Sequence, residues 1–174
     1  LTTALFRIEK ANWYEATDSN GKINYSEDGE QIHEGIEIGI TGKITDDFTV
    51  VAGGTLMDLS VEKASDKSLE GKKPTNAATK MAKLYAEYDI SMIQGLAVTG
   101  GAYWTGKSYR DAANTDVIPS YTVYDGGFRY KTKLDKYSTT YIVNVTNLTN
   151  KEYWRGSTSF GEPRNIALSM KMEF

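Results

Sequence analysis

The sequence predicts an all-β fold, an antiparallel up-and-down transmembrane β-barrel segment of about eight strands. Three observations predict it. Apolar and polar residues alternate with a period of two, short and long connections alternate along the chain, and aromatic residues gather near the strand ends. Each observation alone also fits a half-buried soluble sheet. Their combination is typical of outer-membrane barrels, which have short turns at one end and longer loops at the other.

The alternation is clearest in the last segment, where every second residue is apolar: Ile166, Leu168, Met170, Met172 and Phe174. Similar patterns predict strands over about residues 1–12, 31–45, 48–63, 79–91, 95–108, 120–133, 137–149 and 164–174. A helix does not fit these segments, because their charges would fall on every face. Most are long enough to cross a bilayer, since a tilted membrane strand needs about 9–11 residues.

The connections between these strands alternate in length. Short turns are predicted at Thr45–Asp47, Ser91–Gln94 and Leu134–Lys136. Long loops are predicted at Trp13–Glu30, Ala64–Ala78, Tyr109–Pro119 and Asn150–Pro163. A soluble up-and-down barrel has no reason to keep one end consistently long, so this asymmetry favours a membrane barrel.

Aromatic residues lie toward both ends of the predicted strands. Near the long loops are Trp13, Tyr14, Tyr103, Trp104, Tyr109, Tyr121, Tyr153 and Trp154. Near the short turns are Phe48, Tyr88, Tyr130, Tyr137 and Phe174. Amphipathic rings favour the headgroup level of a bilayer, so two girdles are expected. Charged residues opposite the apolar face are expected to face a polar lumen: Glu37, Lys43, Arg129, Lys131, Lys171 and Glu173.

Composition narrows the class of function. The 174 residues carry 20 Lys+Arg against 23 Asp+Glu, and this weak acidity argues against nucleic-acid binding. The absence of cysteine excludes disulfides, thiolate metal sites and a Cys nucleophile, and the single histidine, His33, leaves no His-rich metal cluster. The mean hydropathy of −0.47 does not exclude a membrane barrel, because it averages a lipid-facing stripe with a polar lumen and hydrophilic loops.

Five segments, in the expected order, resemble TonB-dependent outer-membrane receptors. The run from Val143 to Trp154 resembles the "v-x-N-L-t-d-k-x-Y" signature of that family, and Gly161–Arg164 with the strand to Phe174 resembles its closing "G-x-P-R … F". Residues 28–37 resemble a strand opening with the pattern "G-x-x-x-x-x-G-x-E", and Leu69–Asn76 resembles the loop "l-x-G-k-x-p-x-n". The fifth segment, Tyr103–Tyr109 with Asp111, Asn114, Pro119 and Tyr121, resembles the siderophore-receptor branch.

The resemblance implies uptake of a ferric siderophore across the bacterial outer membrane, with outer-membrane lipid around the barrel. The ligand would be an iron–siderophore chelate, so no cofactor bound by the protein itself, no protein metal ligand and no catalytic residue are expected. Uptake would be driven by the TonB energy-coupling complex, which would contact an N-terminal region missing here.

The resemblance also predicts that residues 1–174 are the C-terminal barrel segment of a 22-stranded receptor, without its plug domain and upstream strands. Phe174 would be the C-terminal residue that directs membrane insertion. The first and eighth strands would then lack a neighbour on one side. Three arrangements would accommodate these edges: a small closed barrel, pairing with another copy, or an open sheet.

Candidate ligand-binding residues are aromatic and cationic side chains on the predicted extracellular loops. Aromatic faces can cover the apolar parts of a chelate, and Arg can bind anionic or carbonyl oxygens. The candidates are Trp13, Tyr14, Trp104, Tyr109, Arg110, Tyr153, Trp154, Arg155 and Phe160. The alternative interpretation of each tryptophan is a girdle or loop-packing residue.

Other functions remain open at this stage. A soluble β-sandwich or a carbohydrate-binding module would share the alternation, and a passive outer-membrane channel would share the barrel. His33 with a Ser and an Asp could in principle form a hydrolase site, but the sequence has no Gly-x-Ser-x-Gly elbow. We therefore expect no enzyme activity.

Overall fold

The computed structural model describes the backbone of residues 1–174 and all side chains except those of Trp13, Tyr14 and Ala16. The chain forms ten β-strands and one short 3-10 helix, Lys67–Leu69. No helix among the described residues is long and apolar enough to cross a membrane.

The strands follow one another with few interruptions. Their bounds are β1 Thr2–Thr17, β2 Ile23–Lys43, β3 Phe48–Lys63, β4 Lys80–Asp89, β5 Leu96–Thr105, β6 Ser108–Tyr109, β7 Val117–Ile118, β8 Tyr121–Leu134, β9 Tyr137–Thr146 and β10 Asn165–Glu173.

Eight of these strands form one antiparallel sheet in the order β1-β2-β3-β4-β5-β8-β9-β10. Each strand pairs with the next sheet strand along the chain, so the predicted up-and-down order is confirmed. The sheet is open, because β1 and β10 each have a hydrogen-bonded neighbour on one side only. Strands β6 and β7 form a separate two-stranded ribbon within one loop.

The eight predicted strands and the three short turns are confirmed, and one predicted loop is wrong. The segment Trp13–Glu30 is not a long loop, because β1 continues to Thr17 and β2 begins at Ile23. Only residues 18–22 lie outside the strands, where the Asp18 carboxylate accepts hydrogen bonds from the amides of Asn20 and Lys22. The remaining three long connections span residues 64–79, 106–120 and 147–164.

The strand register separates an apolar face from a polar face. Residues paired across the sheet include Ile36 with Leu56, Tyr88 with Val98, Phe128 with Val143, and Val143 with Leu168. These belong to one face, and many of its side chains are exposed, such as Leu168 at 76%. A ten-residue strand such as β4 rises about 33 Å along its axis, or about 25 Å when tilted by roughly 40°. That height matches the apolar band of an outer-membrane barrel.

The opposite face carries the predicted charged residues. The register places Glu37, Lys43, Arg129, Lys131, Lys171 and Glu173 together on this polar face. Arg129 of β8 reaches across β5 to the carboxylates of Glu87 and Asp89 on β4. The small residue between them, Ala97, is fully buried.

The first hairpin extends well past the rest of the sheet. Strand β4 begins opposite Leu56, which lies across from Ile36, and Ile36 pairs with Leu5. The twelve residues of β1 beyond Leu5 extend about 40 Å along the strand at about 3.3 Å per residue. The outer part of the hairpin therefore projects beyond the level where β4 starts.

Candidate functional site

The three long connections lie at the same end of the sheet, because each joins consecutive antiparallel strands on the side opposite the short turns. We call residues 64–79, 106–120 and 147–164 the loop cluster. This end buries apolar side chains of its own. Leu59 is fully buried, Val61 is 9% exposed, and Ile118 of β7 is 2% exposed. The loops are therefore folded structures.

Two asparagines join the first two loops of the cluster. The Asn114 amide accepts a hydrogen bond from the Lys73 backbone N–H at 2.7 Å and donates one to the Lys73 carbonyl at 2.9 Å. The Asn76 backbone N–H donates to the Tyr109 carbonyl at 2.8 Å. Asn76 and Asn114 adopt left-handed φ values of 60° and 61°, which Asn tolerates better than most residues.

The Asp111 carboxylate organises the middle loop. It accepts hydrogen bonds from the backbone N–H groups of Thr115 and Asp116 and from the Thr115 hydroxyl, at 2.7–3.1 Å. These donors stabilise the ionised carboxylate, with the Asp116 amide the largest contribution, and lower its pKa from 3.8 to about 2. The loop between β6 and β7 is therefore closed around a charged side chain.

The third loop is attached to the other two through Ser157. The Ser157 N–H donates to the Asn76 side-chain oxygen at 2.6 Å, and the Asn76 amide donates to the Ser157 hydroxyl at 3.2 Å. The Arg110 guanidinium donates to the Ser157 carbonyl at 3.0 Å. All three loops thus meet at one residue.

A stack of three side chains lies beside this junction. The rings of Trp154 and Phe160 are stacked with centroids 4.0 Å apart, and the Arg110 guanidinium lies 4.4 Å from the Trp154 ring centroid. Because both neighbours are this close to the same ring, they occupy its opposite faces. Trp154 has no free face for a ligand, whereas Phe160 is 66% exposed and presents its outer face to solvent.

The base of the third loop is held by Asn147 and Tyr153. The Asn147 amide is buried, accepts from the Lys151 N–H, and donates to the carbonyls of Lys151 and Glu162, each at 2.7–2.9 Å. Tyr153 packs on Tyr121 with centroids 4.2 Å apart, and burial raises the pKa of its phenol. A Cβ at Gly161 would overlap the Tyr153 ring, so glycine is required there.

Comparison with known proteins identifies the architecture. The family described as TonB dependent receptor-like, beta-barrel, matches residues 1–148. This chain belongs to that family. Barrels of the TonB-dependent receptor family lie in the outer membrane of Gram-negative bacteria.

The relatives of this TonB-dependent receptor segment are much longer proteins. The ferrichrome receptor FcuA of Yersinia enterocolitica is 31% identical over 99% of this chain and 23% of the relative. The crystal structure of BauA, the ferric preacinetobactin receptor of Acinetobacter baumannii, is 31% identical with a TM-score of 0.86, over 99% of this chain and 27% of that one. The siderophore receptor PiuA from the same species is 28% identical with a TM-score of 0.78, over 97% and 25%. The chain therefore spans about a quarter of these relatives.

These relatives are named as receptors, and the Escherichia coli ferrichrome protein, 31% identical over 88% of this chain and 20% of its own length, is named as a transporter. Receptor or transport function, not enzyme catalysis, is thus the family's common activity. His33, the alternative hydrolase candidate, lies in β2 with its Nε2 3.5 Å from the Gln31 side-chain oxygen.

The receptor segment places its predicted ligand-binding residues in three environments. Tyr109, Arg110, Tyr153, Trp154, Arg155 and Phe160 all belong to the loop cluster. Trp104 lies in β5 instead of a loop, and its register partners Ala82 and Thr122 put it on the apolar face of the sheet. Trp13 and Tyr14 lie in β1 by their backbone, and their side chains are outside the described ones.

Four of the eight cations in the loop cluster form ion pairs, among them both arginines beside the aromatic stack. Arg110 Nε lies 3.1 Å from Asp116 Oδ2, which makes an ion pair. The Nε–H group does not form a hydrogen bond with this carboxylate. Arg155 lies 3.7 Å from Glu162, and both side chains are exposed. Lys73 pairs with Asp58. Arg110 therefore connects the second and third loops through its hydrogen bond to Ser157 and its contact with the Trp154 ring. Arg155 is the accessible guanidinium beside the aromatic stack.

The polar face of the sheet also contains a concavity of about 530 Å³. Its floor includes Gly39 and Gly53, which are paired across β2 and β3, and its lining includes Glu37, Lys83 and Tyr103. The Lys83 stem lies against Gly53, 3.2 Å from where a Cβ would be. The concavity exists here because these glycines have no side chains to fill it.

The residues that join the loops were not predicted as site residues. Asn76, Asn114 and Asn147 bind partners in other segments, and only their shared preference for left-handed φ gives a local signal in the sequence. Ser157 has no such signal. The aromatic members of the cluster were predicted from their residue types alone.

Proposed function

We propose that this chain is part of an outer-membrane receptor that takes up a ferric siderophore. The observation that carries the proposal is the similarity to ferric-chelate receptors over 99% of the chain, at 31% identity for both FcuA and BauA. The similarity includes the loop cluster, which in a receptor faces the extracellular medium. Uptake would be coupled to TonB through a segment outside this chain.

The chain is proposed to be the C-terminal part of the receptor barrel, with Phe174 as its membrane-insertion residue. Phe174 packs edge-on against Tyr137, with centroids 5.1 Å apart, at the end with the short turns. This contact supports an aromatic girdle at that membrane surface.

Phe160 is proposed as the ligand-contacting ring, with Arg155 as the accessible cation beside it. The support is geometric: Phe160 is 66% exposed, while the Trp154 ring behind it is enclosed by Phe160 and Arg110. Trp154 would act by holding Phe160 in place. Tyr153 and Arg110 would act by packing, and Trp104 by anchoring the lipid-facing surface.

The experiment measures binding of ferrichrome, ferrioxamine B and ferric preacinetobactin to the full-length receptor and its variants. Phe160→Ala is expected to weaken binding of the preferred chelate about tenfold, which corresponds to roughly 1.4 kcal/mol. Leu148→Ala is the matched control, because Leu148 is a 48% exposed apolar residue of the same loop outside the stack. It should change the affinity less than about twofold.

Trp154→Ala combined with Arg155→Ala should weaken binding further, because it removes both the support of Phe160 and the accessible cation. Unchanged affinity in Phe160→Ala would overturn the assignment of Phe160. Failure of the wild-type receptor to bind any ferric siderophore would overturn the proposed function.

A further inference from the structure

The apolar face of the sheet changes to a charged one at a single line across its first three strands. Leu5, Ile36 and Leu56 are paired across β1, β2 and β3, and Leu5 and Leu56 are 81% and 55% exposed. We call these three residues the apolar row. The next residues of the same face, toward the loop cluster, are also paired with one another and form the charged row: Arg7, Glu34 and Asp58.

The charged row is exposed and forms ion pairs along its length. Arg7 lies 3.0 Å from Glu34 and 3.3 Å from Glu9, and Asp58 pairs with Lys73 of the first loop. Between 34% and 73% of each of these side chains is exposed. Farther out, the two following rows are mostly polar and contain Glu9, Ile32 and Ser60, and then Ala11, Glu30 and Lys63.

The two rows differ in the surroundings that stabilise them. Exposed leucine side chains are more stable in hydrocarbon than in water, whereas a charged side chain in hydrocarbon is costly. That cost falls steeply toward the membrane interface. Barrels of this family lie in the outer membrane, so lipid is available to cover the apolar row. We propose that the outer border of the hydrocarbon layer runs between the apolar row and the charged row, and that the charged row contacts lipid headgroups.

The height of the apolar face supports this border. Near the short turns, Phe48 and Tyr88 are paired on the same face, with ring centroids 6.4 Å apart. From Phe48 to Asp58, β3 rises about 33 Å, or about 25 Å when tilted by roughly 40°. The apolar band of an outer-membrane barrel is about 25 Å tall and has aromatic rings at its borders. One hydrocarbon layer therefore fits between the ring pair and the charged row.

Two further side chains of this face suit the outer border. Lys80 pairs with Leu56, and its long exposed side chain can extend the ammonium group to the headgroups. Trp104 pairs with Ala82, so it lies one row inside Lys80. An indole at this level can bury its ring in hydrocarbon and direct its N–H to the interface.

The border leaves the outer half of the β1–β2 hairpin outside the membrane. From Arg7 to Thr17, β1 extends about 33 Å, or about 25 Å at the same tilt. By their backbone, Trp13 and Tyr14 belong to this part of β1. The aromatic residue at the outer border is then Trp104, and Trp13 and Tyr14 lie beyond it. The inference does not depend on which ligand the receptor takes up.

The test measures the surroundings of nitroxide labels at single cysteines in the full-length receptor, made free of other cysteines and inserted in vesicles of phosphatidylethanolamine and phosphatidylglycerol. Electron paramagnetic resonance compares relaxation by oxygen, which concentrates in hydrocarbon, with relaxation by a water-soluble nickel chelate. Ile36→Cys and Ile32→Cys are a matched pair, because both isoleucines lie on the same face of β2, on opposite sides of the proposed border. Oxygen should dominate at position 36 and the nickel chelate at position 32.

Ile38→Cys is a second lipid site, since Ile38 is 45% exposed on the same face. Glu37→Cys is the control on the polar face and should show less oxygen access than positions 36 and 38. Dominance of oxygen at position 32 would place the border beyond the charged row and overturn the inference. It is equally overturned if oxygen does not dominate at position 36, and position 38 then distinguishes a deeper border from a face covered by protein, such as a second copy. Binding of ferric siderophores, measured separately, tests the proposed function.

Discussion

Asn76 and Ser157, which are 81 residues apart in sequence, exchange two hydrogen bonds and join the first and third loops of the cluster. The same Asn76 bonds to the backbone of Tyr109 in the second loop. A ligand that approaches this end of the receptor therefore meets a connected surface, and the loops should respond together when one contact is lost.

Asn76→Ala is expected to loosen both the first and the third loop, because it removes the donor and the acceptor that bind Ser157. Net hydrogen bonds of this kind contribute about 1 kcal/mol each. Hydrogen exchange in the full-length receptor should speed up across residues 64–79 and 147–164. Asn76→Asp is the matched control, since it keeps the acceptor for the Ser157 N–H, and its effect should be smaller. Faster exchange confined to residues 64–79 would contradict the connection.

Asn147→Ala should destabilise the third loop by about 2–3 kcal/mol, because it removes a buried amide that makes three hydrogen bonds to the backbone of Lys151 and Glu162. Hydrogen exchange over residues 147–164 measures the loss. The comparison is Asn150→Ala, whose exposed side chain accepts one hydrogen bond from Arg164 and whose φ of 50° is also left-handed. Equal effects of the two substitutions would show that the backbone conformation, not the buried amide, matters.

Gly161→Ala should displace Tyr153 from Tyr121 and cost about 1–3 kcal/mol, because the new methyl group would overlap the phenol ring. In a Tyr153→Ala background the same substitution should cost much less, which a double-mutant cycle on thermal unfolding can measure. Gly100→Ala is the control, since a Cβ there would meet no atom within 4 Å. It should lower the thermal stability less than Gly161→Ala does. Additive effects of Gly161→Ala and Tyr153→Ala would refute the overlap.

The middle loop should lose order in acid. The pKa of Asp111 is lowered to about 2 in the folded loop, from 3.8 without its hydrogen bonds, so the carboxylate stabilises the loop above pH 3.8. That stabilisation is lost as the pH falls from about 4 to about 2. Carboxylate chemical shifts in detergent micelles should give a midpoint near 2, and Asp111→Asn should remove the acid-dependent change in loop signals. A midpoint near 3.8 would contradict the hydrogen-bonded geometry.

The strands were predictable wherever one face of the sheet is apolar and the other is polar, because that arrangement imposes the period of two. Strand β10, with its exposed Leu168 and Met170, is the clearest case. The prediction failed over Trp13–Glu30. There the hairpin projects past the rest of the sheet, so Glu27 and Asp28 can occupy adjacent strand positions and the alternation disappears.

The candidate site was predictable only in part. Aromatic and cationic residues such as Phe160 and Arg110 were identified by type, since recognition of a chelate would use such groups. Which aromatic rings are exposed and which are enclosed depends on the stack around Trp154. The junction at Ser157 depends on hydrogen bonds between segments that are distant in the sequence. Neither leaves a local pattern in the sequence.

The most direct test of ferric-siderophore uptake is transport of radioactive iron by cells that carry or lack the full-length receptor. Deletion of its gene should abolish uptake of one ferric siderophore, the wild-type gene should restore it, and restoration should fail in cells without TonB. Uptake of every ferric siderophore unchanged by the deletion, or restoration without TonB, would contradict the account.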